Sequence, residues 1–198
     1  RCTVLRKGKY IGTVDVAETS KEELSEMMVG RKVTLQVEKG PANPGEEVFH
    51  VQGLSVENKQ SHKRLVNNVS FTVRCGEIVC IAGIDGNGQT EMVQAITGLL
   101  PASSGTISLH GQEISHASVR KRTAAGISHI PEDRHRHGLV LDFPLAYNLV
   151  LQSYYKPQFC QAGFLKYDKI YEYANKLIDQ YDIRSGQGPK TMVRSMSG

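Results

Sequence analysis

The residues with the most definite chemistry stand in a row: Gly83-Ile84-Asp85-Gly86-Asn87-Gly88-Gln89-Thr90, with Glu91 opening a helical pattern directly behind them. Glycines at such close spacing let backbone N–H groups close around an anion where any Cβ would collide, and a following helix aims its positive dipole end at the same point. The spacing G-x-x-x-x-G-x-T suits a phosphate-cradling loop, with Thr90 at the position whose hydroxyl ligates Mg²⁺. The lysine that such loops direct at the β and γ phosphates is replaced here by Gln89. A unit charge about 4 Å from a phosphate contributes roughly 4 kcal/mol at an effective dielectric of about 20, whereas a neutral amide offers one hydrogen bond. Affinity and turnover at this loop are therefore expected to fall below those of a lysine-bearing one. The dinucleotide fingerprint G-x-G-x-x-G, started at Gly86, would need glycine where Glu91 stands, and so fails.

Other chemistry-bearing residues point to blander roles. His135 and His137 sit two apart between arginines with no neighbouring carboxylate or cysteine pair, which predicts a solvated loop rather than a metal site. Arg120-Lys121-Arg122, with Arg134 and Arg136 further on, lacks the interleaved aromatics of a nucleic-acid surface and predicts a charged helix face. Glu132 and Asp133 are adjacent on an irregular stretch, where two carboxylates need not face the same way, so loop positioning is preferred to an acid–base pair. Tyr171, Tyr173 and Tyr181 read as helix packing and surface, and Met27 and Met28 as core filling. Cys2, Cys75, Cys80 and Cys160 form no C-x-x-C pair, which predicts buried, reduced thiols.

Stepping outward, the elements that must hold the loop follow from periodicity. Ile78 to Ala82 is a continuous apolar run, expected to be a strand buried on both faces, and it delivers the chain to Gly83. Behind the loop, Met92, Ala95, Ile96 and Leu99 fall at helical spacing before Pro101. Strands are expected at Val48–Val51, Val69–Val73, Gly105–Leu109 and Ile127–Ile130, and a short helix from Ser118 to Ala125 closed by Gly126. A hairpin over Thr3–Leu5 and Tyr10–Val14 turns at Arg6-Lys7-Gly8-Lys9. Ser20 and Glu23 form a capping box for a helix whose apolar face is Leu24, Met27 and Met28 and whose stop is Gly30. Residues 39–47 carry prolines and glycines with almost nothing to bury and read as a linker. Ile170, Tyr173, Ala174, Leu177, Ile178 and Tyr181 mark one long amphipathic helix in a mostly helical C-terminal part.

The bulk properties agree with an α/β globular protein. The 198 residues carry 24 Lys plus Arg against 20 Asp plus Glu, a net charge of +4, too small an excess to argue for nucleic acid. Hydrophobic content of 39% and charged content of 22% exclude a disordered or collagen-like chain. No apolar stretch approaches the roughly 20 residues of a bilayer span. The start on Arg1 suggests a piece of a longer protein.

With these segments in order, the chain resembles the ATP-binding subunits of ABC transporters. Asn68 to Ile78 is similar to the antiparallel strand and turn before that family's Walker A loop, and Ser104-Gly105-Thr106-Ile107 with Gly111 to the strand pair after its helix. Ile130-Pro131-Glu132-Asp133-Arg134-His135-Arg136-His137-Gly138-Leu139 resembles the Q-loop region, and Ser195-Met196-Ser197-Gly198 the opening of the LSGGQ signature. Gly-Ile-Asp-Gly-Asn-Gly-Gln together with Pro-Glu-Asp-Arg-His and Gly-Leu-Val-Leu-Asp-Phe is most similar to the second cassette of the fused two-cassette ATPases of simple-sugar and nucleoside importers.

The resemblance implies an α/β P-loop NTPase of ABC type, with an antiparallel β subdomain and a partial helical subdomain, truncated at the signature. Residues 1–38 would be the tail of a preceding cassette, 39–47 the linker, 48–139 the P-loop core and antiparallel subdomain, and 140–198 the helical subdomain up to the signature. ATP and Mg²⁺ are the implied cofactors. Gly83, Ile84, Asp85, Gly86, Asn87, Gly88, Gln89, Thr90 and Glu91 map onto the ATP-binding loop, with Thr90 on the metal. Glu132 takes the place of the Q-loop glutamine, and Ser197 and Gly198 map onto the signature contact with the opposite ATP. The family's Walker B aspartate, catalytic glutamate and switch histidine come after the signature, so no catalytic residue is assigned. No aromatic for stacking adenine is evident in Gly53 to His62. Implied partners are the transmembrane permease subunits, the first cassette of the same chain and, indirectly, a solute-binding protein, with no nucleic acid. The implied location is the cytoplasmic face of the plasma membrane. A non-catalytic regulatory nucleotide-binding module is the alternative that Gln89 and Glu132 favour.

Overall fold

The computed structural model describes residues 1–6, 8–32 and 39–196. The turn residue Lys7, the end of the 1–38 segment and the signature residues Ser197 and Gly198 lie outside the described residues. The chain forms two compact units, Arg1–Pro44 and Gly45–Gly198, and the division falls inside the proline- and glycine-rich stretch.

In the first unit, β1 (Cys2–Arg6) pairs antiparallel with β2 (Lys9–Val14), and helix α1 spans Lys21–Val29. The start of α1 is local chemistry. The Ser20 hydroxyl accepts from the Glu23 amide at 3.1 Å while the Glu23 carboxylate accepts from the Ser20 amide at 3.1 Å, and Gly30 ends the helix in the left-handed region. Such reciprocal bonds satisfy two donors that the first turn leaves open. Met27 is half-buried, but Met28 is 61% exposed and fills no core, contrary to the expected apolar face.

The second unit is built on a four-stranded antiparallel sheet in the order β4-β3-β5-β6, formed by β3 (Glu47–Glu57), β4 (Arg64–Arg74), β5 (Ser104–Leu109) and β6 (Gln112–Glu113). Strand β3 runs six residues past the expected Val51. Its pairing shifts register between Val51 and Leu54, so the inward set is Val51, Leu54 and Val56, and the bulge breaks the strict alternation that sequence periodicity reads. Helix α2 (Gln89–Thr97) lays Met92 and Ala95 on this face, where they close a core with Leu54, Val56, Val66, Ile107 and Ile114. Gly98 ends α2 in the left-handed region, so Leu99 leaves the buried face and is exposed, against expectation.

A second core belongs to the helical part. Ala146 and Val150 of α4 (Leu145–Val150) pack with Phe159 and with Ile170 and Ala174 of α5 (Tyr167–Gln180). Between the helices lies a hairpin of β7 (Cys160–Gln161) and β8 (Phe164–Leu165), turned by Ala162 and Gly163, both at positive φ as a tight primed turn requires. Helix α5 stops at Gln180, and Tyr181, expected on its apolar face, is exposed.

Four further expectations are corrected. Ile78 to Ala82 is not a buried strand: it is irregular and exposed, with Ile78 84% accessible. Ile127–Ile130 is likewise no strand. A strand exists only by pairing, and among the described residues no sheet places a neighbour beside either run. The cysteines are free, but Cys75 and Cys80 are exposed rather than buried. Finally, α3 (Val119–Ala124), capped by Ser118, does not carry Arg120-Lys121-Arg122 as one solvated face, since Arg122 is only 4% exposed.

Candidate functional site

The loop is shaped by close contacts rather than by burial of its own side chains. Asn87 N–H donates to the Ile84 carbonyl at 3.2 Å, and Gly86 takes φ +84° inside that turn. Gly88 then takes φ +95° as the cap of α2, and a side chain there would run into the Leu65 carbonyl of β4. Only glycine satisfies both demands. No side chain caps α2, so its first-turn N–H groups are left for an outside acceptor, with the helix dipole behind them.

Gln89 is folded back along the loop. Its Nε2 donates to the Ile84 carbonyl at 3.3 Å, and it lies so near Gly83 that any side chain at 83 would collide with it. A phosphate entering here would displace one neutral hydrogen bond, which is worth about 1 kcal/mol net.

Thr90 and Gln89 open onto a cavity of about 450 Å³, whose opposite wall is the stretch His129 to Asp133 together with Arg136 and His137. Glu132 therefore faces the start of α2 across this space, and the structure brings together Gln89, Thr90 and Glu132. Ile84, Asp85, Gly86 and Asn87 approach from the loop without lining the cavity, and Glu91 sits in the first turn of α2 off its wall. Arg136, His137 and His129 are wall residues that sequence reasoning placed elsewhere. The signal for Arg136 and His137 is the basic run directly after Glu132-Asp133; His129 precedes it and carried none.

That wall is set by a short π-helical turn, Arg134–Gly138. The Asp133 carboxylate accepts from the Arg136 amide at 2.9 Å, and its carbonyl from the His137 amide at 3.0 Å. The Arg136 amide bond, helped by the His135 amide and the nearby imidazoles, holds the Asp133 carboxyl below its ordinary range. Beyond the turn, Asn148 clamps the chain. Its Oδ1 accepts from the Val140 amide at 2.8 Å and its Nδ2 donates to the Val140 carbonyl at 3.0 Å. Residues 141–145 then lie beside 191–194: Leu145 N–H meets the Thr191 carbonyl at 2.8 Å, and Arg194 donates twice to Asp142 Oδ1, at 3.0 and 2.7 Å. The wall that carries Glu132 is thus tied to the segment leading toward Ser197 and Gly198.

The far end of α2 is closed by a residue that sequence reasoning misassigned. The Arg122 guanidinium donates to the carbonyls of Ala95 (2.8 Å), Ile96 (2.6 Å), Ser115 (2.6 Å) and Ala117 (3.0 Å). Burial lowers its pKa from the usual arginine value, yet that value is high enough to leave it charged. A cation on the C-terminal carbonyls of α2 complements the dipole.

Among the described residues no three or more His, Cys, Asp or Glu side chains converge as a metal cage, and no helix is long and apolar enough to cross a membrane. Thr90 and Glu132 are nonetheless both oxygen donors on one cavity. That pair suits a Mg²⁺ ion whose other ligands are phosphate and water.

An uncapped glycine-loop helix facing a Q-loop-like wall, beside an antiparallel sheet and a helical part, defines an ATP-binding cassette fold. A family model described as ABC transporter matches residues 66–198, and the chain belongs to that family. It is 48% identical over its whole length to the guanosine import ATP-binding protein NupO of Bacillus subtilis (strain 168), and 46% identical over its whole length to the nucleoside import ATP-binding protein NupA of Lactococcus lactis subsp. cremoris (strain MG1363). The chain spans only 38% and 39% of those relatives. A solved nucleotide-free ATP-binding cassette from an ABC transporter superposes with a TM-score of 0.56 at 16% identity, over 77% of this chain and 60% of that one.

Proposed function

We propose that this chain is the phosphate-gripping part of the ATP-binding, energy-coupling subunit of an importer for nucleosides or simple sugars. The observation that carries the proposal is the single cavity that joins Gln89 and Thr90, at the uncapped start of α2, to Glu132. The names of the relatives in Bacillus and Lactococcus favour nucleosides over sugars. Residues 83–91 bind the polyphosphate through loop and first-turn amides, Thr90 and Glu132 hold Mg²⁺, and Ser197 and Gly198 contact the ATP of the opposite site. When bound, Mg²⁺ and ATP supply the charge and the phosphoanhydride energy that close two cassettes on one another.

On this reading residues 1–38 are the tail of a first cassette in the same chain, 39–47 a linker, 48–139 the core with its antiparallel subdomain, and 140–198 the helical subdomain. The partners are that first cassette, transmembrane permease subunits and, through them, a solute-binding protein, at the cytoplasmic face of the membrane. The water-activating glutamate of the family is assigned to no residue of this stretch, so the isolated 198 residues are expected to bind ATP weakly and to hydrolyse none at a useful rate.

A second reading, a regulatory site that binds nucleotide without turnover, is favoured by Gln89 in place of lysine and by Glu132 in place of glutamine. Gln89→Lys in the full-length protein separates the two. A large gain in transport-coupled ATPase marks a weakened catalytic site, and an unchanged rate marks a regulatory one. ATP that fails to protect the 83–91 amides of the full-length protein from hydrogen exchange would contradict both readings.

A further inference from the structure

A polyphosphate in this cavity needs a positive charge, and position 89 does not supply one. Among the described residues lining the cavity, Glu132 and Asp133 are acidic, no lysine is present, and Arg136 is the one fixed cation. Of the other arginines, Arg122 is engaged on backbone carbonyls, Arg194 on Asp142, Arg64 on Glu57, Arg74 on Glu47 and Arg120 on the Tyr155 ring. The Arg136 guanidinium makes no ion pair or hydrogen bond among the described residues, although its own amide is held by the Asp133 carboxylate at 2.9 Å. The Asp133 carboxylate bonds the Arg136 amide and not its guanidinium, which fixes where that side chain starts.

We infer that Arg136 is the phosphate-binding cation of this site and takes the part that lysine would play at position 89. The inference rests on the reading that ATP binds the 83–91 loop. Two features favour an arginine arriving from the opposite wall. A guanidinium presents a planar fork of donors that matches two phosphate oxygens at once, which a neutral Gln89 amide cannot do. Its attachment on the turn beside Glu132 also couples that wall to the terminal phosphates, so occupancy by a triphosphate would draw in the segment that runs through Asn148 and Asp142 toward Arg194. Arg136 is accordingly specific for the outer phosphates, while the loop amides hold those nearer the ribose.

The test uses the full-length protein and a local readout, hydrogen-exchange protection of peptides spanning residues 83–97, titrated with Mg-ATP and separately with AMP. Arg136→Ala is expected to raise the ATP midpoint by about tenfold or more and to leave the AMP midpoint within about twofold. Arg136→Lys recovers part of the loss, and Gln89→Lys restores ATP protection in the Arg136→Ala background. Arg134→Ala, an exposed neighbour that does not line the cavity, is the control for general charge and stays within about twofold. Wild-type-like ATP protection in Arg136→Ala, or an equal loss in Arg134→Ala, would overturn the assignment while leaving ATP binding at the loop intact. Absence of any ATP protection in the wild-type protein would overturn the loop reading and this inference with it. Because Arg136 is exposed and its side chain has no partner among the described residues, a changed melting temperature is not expected and would itself count against the inference.

Discussion

The two ends of α2 meet the same electrostatic demand in opposite ways. At the C-terminal end the carbonyls of Ala95 and Ile96 are filled by a buried guanidinium from α3, so the negative pole of the helix is neutralised by the protein itself. At the N-terminal end Gly88 caps without a side chain and the first-turn amides stay open to solvent and cavity. A helix closed at one pole and uncapped by any side chain at the other is a fixed dipole whose positive terminus can take an anion. Rigidity at the closed end keeps the open end aimed, since the core residues Met92 and Ala95 lie between them.

The largest effect is expected from breaking the closed end. Arg122→Ala removes a charged donor from four buried or part-buried carbonyls and should cost about 3–5 kcal/mol of folding stability in the full-length protein, read as a lowered denaturant midpoint. Arg122→Lys should recover less than half, because an ammonium cannot span carbonyls on both α2 and the loop before α3. At the open end, Gly88→Ala places a Cβ at φ +95° against the Leu65 carbonyl. About 1–2 kcal/mol of backbone strain, with more from the clash, should lower the melting temperature and abolish ATP protection of the loop together.

Substitution at a third position leaves the fold intact. Gln89→Lys gives the open pole its own cation, and ATP affinity measured by calorimetry should rise about tenfold with folding stability unchanged. The smallest effect concerns the turn opposite. Asp133 has its folded-state pKa lowered, so its contribution is present above the unfolded value and fades as pH falls through the folded one. The Asp133 carboxyl resonance should therefore titrate below the ordinary carboxylate range, and the Arg136 amide resonance should follow the same midpoint. Asp133→Asn should remove that dependence.

What the sequence made legible divides by range. The capping box at Ser20 and Glu23 is written in neighbouring residues and formed as expected, and a helix follows the glycines of 83–88, although it ends at Thr97 and leaves Leu99 exposed. Where a role depends on a distant partner, periodicity succeeded for Val69–Val73 and Gly105–Leu109, which found sheet neighbours, and failed elsewhere. Ile78–Ala82 has the composition of a buried strand, but a strand is made by its neighbours, and none lies beside it among the described residues. Arg122 sits in a basic triplet that reads as surface, and only the fold shows α2 ending above it. Thr90 and Glu132, 42 positions apart, were given their separate positions by resemblance to a family, and the cavity they share was not legible in their spacing. The Val51–Leu54 bulge likewise hid half of β3, because one extra residue inverts the period-two signal.

Whether the loop amides at the open pole of α2 grip a polyphosphate is decided by a crystal of the full-length protein grown with Mg-ATP. The predicted result is phosphate oxygens within hydrogen-bonding distance of the Gly88, Gln89 and Thr90 amides, with the Gln89 side chain released from the Ile84 carbonyl. A Gln89 amide still lying against Gly83, with nucleotide bound elsewhere or not at all, would contradict it.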